Sequence, residues 1–153
     1  MDVATPESLP ALYHEDEVAW LDAMAEIIRR RDLAALDLDS LHELLTDMAI
    51  RERRELKSRH VVLMTHQLKW RYQPKEQTRS WETTALVQSQ ELADIAGRGV
   101  LRAHAESVLP DAYANAVKRA ASETRLPRST FPVDCPSTVE ELLNVDLSED
   151  QTN

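Results

Sequence analysis

The sequence contains very little glycine and cysteine. Its 153 residues include only two glycines, Gly97 and Gly99, and one cysteine, Cys135. Few glycines disfavour a β-sandwich, which needs many glycine-bearing turns, and they exclude a glycine-rich phosphate loop. One cysteine excludes an intramolecular disulfide and a cysteine-based zinc site within one chain. Apart from Pro74, the prolines cluster near the N-terminus and from Leu109 onward, so the long stretches between them predict an all-α protein.

Long apolar runs are also missing. No stretch approaches the roughly 20 residues that a membrane span requires, and the N-terminus lacks the basic start and apolar run of a signal peptide. We therefore expect a cytoplasmic protein that does not enter a membrane. With 42% hydrophobic and 29% charged residues, the chain has an ordinary globular composition. We predict one domain at 13–145, after a flexible lead-in at 1–12 and before a disordered acidic tail at 146–153.

The charge is unevenly distributed along the chain. The net charge is −9, yet residues 51–82 hold nine basic and four acidic residues, a net +5. The remaining residues therefore sum to −14. A basic segment in an acidic chain either pairs with its acidic neighbours or faces an anionic partner. The first interpretation needs no further component.

Hydrophobic spacing in the N-terminal half predicts two helices. A first helix is expected from about Glu15 to Arg30, and a second begins at an N-cap provided by Asp39 or Ser40 and runs on to about Gln73. Helical spacing predicts an inward-facing stripe on the first helix, made of Val18, Leu21, Met24, Ala25 and Ile28, with Trp20 and Ile27 widening it. The second has a stripe at Leu41, Leu44, Leu45 and Met48.

The C-terminal half predicts further helices separated by breakers. One helix follows a cap at Thr78 or Ser80, and a short helical piece at 100–108 leads to a new helix that starts at Pro110. A proline-rich connector, RLPRSTFPVDCP, precedes a last short helix at 138–144 capped by Ser137. The predicted fold is a compact helical bundle of about four main helices, with short helices and an extended proline-rich C-terminal connector.

Four segments occur together in a recognisable order. They are LYHEDEVAWL, LHELLTDMAIRERRELKSR, HQLKWRYQPKEQTRSW and AYANAVKRAASETRLPRSTFPVDCP. Together they resemble the domain-of-unknown-function 29 family, a bacterial family of small helical proteins, from about Leu12 to Leu143. The most specific matches are His66 with the following LKW, Gln73-Pro74, Ser80-Trp81 and the FPxxCP run from Phe131 to Pro136. The resemblance implies a compact helical bundle and no established activity.

The second helix is less acidic than the family pattern. Leu44 and Thr46 stand where that pattern has acidic residues, and Ala49 stands where it has glycine. Glu43 and Asp47 fit the pattern. A role that requires a full acidic cluster on this helix is therefore disfavoured.

Histidine and cysteine spacings give little support for metal binding or nucleophilic catalysis. Only Asp39 and His42 have the carboxylate-x-x-His spacing of a bundle di-metal site, and no His-Glu-x-x-His occurs. His60 and His66 point to different faces of one helix. Cys135 follows an aspartate, whose charge raises the pKa of the thiol, so we expect a small buried thiol. No metal or cofactor is predicted.

His66 is the most informative single residue of the sequence. Its neighbours are apolar, and a buried histidine normally needs a hydrogen-bond partner, which Glu43 or Asp47 could supply across a tight turn or from another subunit. His66 is then either a core histidine that fixes helix register or a general base or proton-linked switch. The second alternative is an enzyme or small-ligand site; no catalytic residue is assigned. The candidate polar site comprises Glu43, Asp47, Arg59, His66, Lys69 and Trp70.

Basic and aromatic residues interleave at the end of the same segment. Arg71, Lys75 and Arg79 form a candidate anion-contact surface that could grip phosphates beside stacked bases. The sequence pI near 5.0 and the lack of a nucleic-acid-binding motif disfavour this function.

A protein-interaction module is the favoured function. An acidic helical bundle without cofactor motifs is suited to pairing with itself or with a protein partner. Apolar residues on several faces of VVLMTHQLKW suggest surplus apolar surface. We therefore predict a non-enzymatic interaction module that can form a homodimer.

Overall fold

A computed structural model describes residues 8–148, and the all-α fold class is confirmed. Over these residues the chain forms six α-helices and three 3₁₀ turns, with no β-strand. The helices are α1 Leu9–Glu15, α2 Glu17–Arg29, α3 Leu38–Tyr72, α4 Arg79–Ala96, α5 Gly99–Thr124 and α6 Val139–Leu142. The 3₁₀ turns span Leu33–Ala35, Pro74–Glu76 and Arg128–Thr130.

The chain divides into two compact units, residues 1–50 and 51–153. Each unit has a hydrophobic core of its own. Helix α3 contributes its first part to the first unit and its remainder to the second.

The first unit begins with a helix that the sequence patterns did not predict. Helix α1 starts at Leu9, inside the expected lead-in, because Ser8 accepts a hydrogen bond from the Ala11 amide and Pro10 suits a first helical turn. Asp16 separates α1 from α2 and caps α2, accepting a hydrogen bond from the Ala19 amide at 3.0 Å. Residues 1–7, the rest of the predicted lead-in, lie outside the described residues.

The core of the first unit is built around Trp20. Its fully buried indole stacks edge-on against Tyr13, with ring centroids 4.9 Å apart, and Met24 and Leu44 complete the buried cluster. The indole nitrogen donates to the Asp37 carboxylate at 3.1 Å. Asp37 also accepts from the Ser40 amide at 3.2 Å, so Asp37 caps α3 in place of the predicted Asp39 or Ser40.

The larger core lies in the second unit. Helix α5 packs against α4 and α6, and its buried face consists mainly of alanines. Small side chains let neighbouring helices approach closely. The same core also contains leucines from the second part of α3 and from α4 and α6, including Leu56, Leu63, Leu92 and Leu142.

Helix α5 continues through Pro110, so the predicted break was wrong. A proline removes one backbone hydrogen bond, but Pro110 is exposed and the buried alanines on either side keep the helix packed. The helix ends instead at Arg125, which has a left-handed φ of 60°. Thr124 supports this end, because its hydroxyl donates to the Ala120 carbonyl and accepts from the Leu126 amide.

The C-terminal segment is attached to α4 through Ser89. The buried Ser89 hydroxyl donates to the Leu142 carbonyl at 2.8 Å and accepts from the Val145 amide at 2.9 Å. Helix α6 is capped by Thr138 in a capping box with Glu141, one residue after the predicted cap. In the predicted tail, Leu147 is buried in the core, and residues 149–153 lie outside the described residues.

Replacing Ser89 with alanine is expected to lower the free energy of unfolding by about 2–3 kcal/mol, because two buried backbone groups lose their partner. Urea denaturation followed by circular dichroism measures the change. Thr83→Ala, which removes an exposed hydroxyl from the same helix, is the matched control and should change stability by less than about 0.5 kcal/mol. Equal effects of the two substitutions would contradict this role for Ser89.

Candidate functional site

The six residues of the candidate polar site all lie on α3. Glu43 and Asp47 are exposed in the first unit, whereas the other four belong to the second. No tight turn separates Glu43 from His66, because α3 is uninterrupted between them. The Nδ1 atom of His66 lies 2.8 Å from the Val62 carbonyl oxygen one turn earlier. The half-buried histidine therefore has a local hydrogen-bond partner and needs neither carboxylate.

Lys69 is held by an acidic and an aromatic partner. Its Nζ atom lies 2.9 Å from Glu123 Oε2 and 4.4 Å from the centre of the Trp81 ring. The other carboxylate oxygen of Glu123 lies 3.4 Å from Arg119 Nε. The hydrogen bond from Lys69 is the main cause that lowers the pKa of Glu123, and nearby cations add to it. These contacts join the ends of α3 and α5 to the start of α4.

Arg59 is likewise occupied by neighbours. Its guanidinium lies 2.7 Å from Glu55 Oε1, one turn earlier on α3, and 3.8 Å from Glu91 Oε2 on α4. It also donates to the Gln88 side chain at 3.4 Å. Arg59 therefore joins α3 to α4, and the structure gives it no contact with His66.

The candidate anion-contact residues are exposed on three different elements. Arg71 ends α3, Lys75 lies in the turn Pro74–Glu76, and Arg79 begins α4. Arg71 lines a cleft beside Cys135, whereas Arg79 lines a separate groove along α4. The structure does not gather the three cations into one pocket.

The cleft beside Cys135 is narrow, with a cavity volume of about 10 Å³, and it is lined by residues of α3, α5 and the FPxxCP run. The Cys135 thiol lies 3.7 Å from Met64 Sδ and donates to the Ser137 carbonyl. Burial raises the pKa of this thiol. Burial also raises the pKa of Tyr113, on the cleft wall, to about 12, and its hydroxyl donates to the Pro132 carbonyl. Both groups are therefore protonated at neutral pH, and Cys135 is a poor nucleophile.

His60 is the histidine with the unusual environment. It is fully buried, and neither ring nitrogen has a hydrogen-bond partner among the described residues. Desolvation lowers its pKa to about 4, so the ring is neutral at pH 7. The sequence places His60 at a polar interruption of an apolar helix. The lack of a hydrogen-bond partner for His60 depends on which side chains surround it in the fold. The sequence alone does not show which side chains these are.

Helix α2 leaves an apolar stripe in solvent, contrary to the predicted inward stripe. Trp20, Met24 and Ile27 are buried, as expected. Val18, Leu21 and Ile28 are instead 67%, 41% and 48% exposed. On the helix these three lie on one face beside the buried one, and we call them the α2 stripe. The apolar residues of α2 cover more of its circumference than one core contact requires, which is the sequence signal for such a surface.

A basic groove runs between α3 and α5 in the second unit. Its volume is about 440 Å³, and none of its lining residues is acidic. We define the basic groove by the residues that line it: Arg54, Lys57, Ser58, Val61 and Val62 on α3, and Asn115 and Arg119 on α5.

Over residues 8–148, histidine, cysteine and carboxylate side chains do not form a group of three or more that could hold a metal ion. None of the helices in this range combines the length and the apolar character needed to cross a membrane.

Comparison with known proteins identifies the family. The family model described as "Domain of unknown function DUF29" matches residues 12–148. The chain belongs to the DUF29 family. No curated protein and no solved structure matches the chain.

The residues that carried the resemblance to DUF29 support the fold in this structure. Trp70 is buried in the larger core, and the Gln73 side chain donates to the Thr124 carbonyl at the end of α5. Phe131, which begins the FPxxCP run, stacks edge-on against Tyr72, with ring centroids 5.3 Å apart. These DUF29 positions therefore account for packing at the end of α3.

Proposed function

We propose that this DUF29 protein is a non-enzymatic protein-interaction module that self-associates through the α2 stripe. The observation that carries the proposal is the exposure of Val18, Leu21 and Ile28 on one face of a helix whose other apolar face is already buried. Contiguous exposed apolar surface of this kind is typical of protein-interaction sites.

Burial of the stripe supplies the driving force. Complete burial of a valine, leucine or isoleucine side chain stabilises a complex by about 1.5–3 kcal/mol relative to exposure. Because these three side chains are already partly buried, each contributes less than the full value, and together they offset part of the cost of association. Helix α2 is already formed in the unbound chain, so association requires little further ordering of the backbone.

The charge distribution favours a second copy of the chain as the partner. Residues 1–50 hold twelve acidic and three basic residues, a net charge of −9. The whole chain also carries −9, so residues 51–153 are neutral overall. The second unit nevertheless contains the basic groove, whose charge complements that of the first unit. Each copy thus carries both an acidic apolar surface and a basic surface that suits it.

The alternative functions have weaker support. An enzyme or ligand site at His66 is less well supported, because the His66 ring already contacts the Val62 carbonyl. Glu43 and Asp47 are exposed in the other unit. For nucleic-acid binding, the separation of Arg71 from Arg79 in different grooves is unfavourable. The cytoplasmic location stays a prediction from the sequence.

Val18→Glu is expected to weaken self-association by at least about tenfold, because it removes buried apolar area and adds a charge that must be desolvated. Sedimentation velocity over a concentration series measures the dissociation constant. Val133→Glu places the same substitution at an exposed valine of the second unit and is the matched control. The stripe is not the contact if both variants associate like the wild-type chain.

A further inference from the structure

The basic groove contains cations that the chain itself does not neutralise. Arg54 and Lys57 lie one turn apart on α3. Neither forms an ion pair with a described acidic residue. Arg119 faces them from α5 and shares Glu123 with Lys69. The groove therefore presents two free positive charges on one wall and a partly compensated one on the other.

Apolar and neutral polar side chains complete the groove. Val61 and Val62 are half-buried and provide apolar surface between the charged residues. Ser58 and Asn115 add hydrogen-bonding groups on opposite walls. A ligand that matches this lining needs carboxylates for both walls and apolar side chains between them. A simple inorganic anion would leave the two valines without a contact.

Helix α2 has this combination. Viewed down the helix axis, the direction midway between Val18 and Leu21 is the centre of this apolar face. Glu17 lies about 70° to one side of that direction and Asp22 about 70° to the other. Both carboxylates are exposed, as are the two apolar side chains. A groove-bound α2 with Val18 and Leu21 inward therefore directs one carboxylate to each wall.

We propose that α2 of a second copy binds in the basic groove. Val18 and Leu21 contact Val61 and Val62, and the flanking carboxylates Glu17 and Asp22 face the opposite charged walls. The inference rests on the proposed self-association and names the surface that receives two residues of the α2 stripe, Val18 and Leu21.

The dimensions of the two surfaces agree. Arg54 to Val62 spans about 12 Å along α3, and Glu17 to Asp22 spans about 7.5 Å along α2, at about 1.5 Å per residue. One groove therefore accommodates the acidic first turns of α2. Each copy has one groove and one α2, so two copies can each bind the α2 of the other and form a closed dimer. If a groove and an α2 stay unoccupied at the two ends, further copies can add and give longer assemblies.

A charge-exchange experiment tests the pairing. Arg54→Glu/Lys57→Glu places acidic residues in the groove, and Glu17→Lys/Asp22→Lys places basic residues on α2. Each variant alone is expected to self-associate at least about tenfold more weakly than the wild-type chain. An equal mixture is expected to regain association between the two variants, measured by native mass spectrometry with one variant isotopically labelled. Circular dichroism and thermal unfolding confirm that each variant is folded.

Arg71→Glu/Lys75→Glu is the matched control, because it reverses two exposed charges outside the groove. It should associate like the wild-type chain. If the groove variants associate like the wild-type chain while Val18→Glu associates more weakly, the groove assignment is overturned and the proposed function still stands. A wild-type chain that stays monomeric would overturn both. If the groove variants lose binding to single-stranded DNA but self-associate like the wild-type chain, the groove is assigned to nucleic acid instead.

Discussion

Replacing His60 with leucine is expected to stabilise the protein at pH 7 and to remove much of its sensitivity to mild acid. The imidazole is fully buried, and neither nitrogen has a hydrogen-bond partner among the described residues. A leucine of similar volume removes two unpaired polar atoms from the core. The expected gain at pH 7 is about 1–3 kcal/mol in the free energy of unfolding.

The pH dependence follows from the depressed pKa of His60. Its pKa is about 4 in the folded chain and 6.5 in its ordinary state. Between these values the unfolded chain binds a proton that the folded chain does not, so stability falls as the pH falls from 6.5 towards 4. The loss reaches about 2 kcal/mol between pH 7 and pH 5, and about 3 kcal/mol once both states are protonated.

Urea denaturation at pH 7 and at pH 5 measures this difference for the wild-type chain and for His60→Leu. His42→Leu, at an exposed histidine, is the control and should keep the wild-type pH dependence. Comparison of variants at each pH cancels the titration of carboxylates such as Asp37 and Glu123, which the variants share. Parallel pH profiles for wild-type and His60→Leu would show that His60 is not the titrating group.

Trp20→Ala is expected to cost about 3–5 kcal/mol, because it empties the centre of a small core. Among the described residues, the buried cluster of the first unit consists of Tyr13, Trp20, Met24 and Leu44. The substitution also deprives the buried Asp37 carboxylate of the indole donor. We therefore expect α1 and α2 to lose their structure.

Hydrogen exchange measured by mass spectrometry locates this effect. The core of the second unit contains none of the four residues of the first, so α4 and α5 are expected to keep their protection in Trp20→Ala. Trp20→Phe is the control; it keeps an aromatic ring but loses the bond to Asp37 and part of the buried volume, and it is expected to cost less than Trp20→Ala. Equal deprotection of both units would contradict the independence of the two cores.

Local rules correctly predicted two helix boundaries at which one residue decides the outcome. The end of α3 just before Pro74 follows from the restriction that proline places on the preceding residue. The cap of α4 at Thr78 follows from its side-chain oxygen, which accepts from the Trp81 amide. The predicted break at Pro110 was wrong because packing on both sides offsets one lost hydrogen bond.

The surface features depended on tertiary contacts and could not be predicted in the same way. Periodicity identified Val18, Leu21 and Ile28 as apolar and assigned them to the core. Two adjacent stripes on α2 look alike in sequence, and only the packing of Trp20 and Met24 decides which one is buried. The basic groove likewise joins Arg54 to Arg119, which lie on helices far apart in the chain.

The most direct test of self-association is the molar mass of the wild-type chain in solution. Light scattering coupled to size-exclusion chromatography, with loading concentrations from about 1 to 100 µM, covers the range of typical weak and moderate interfaces. One chain has a mass of 17.4 kDa, and the proposed function predicts that the mass rises to at least twice this value as concentration increases. A constant 17.4 kDa at every concentration would contradict it.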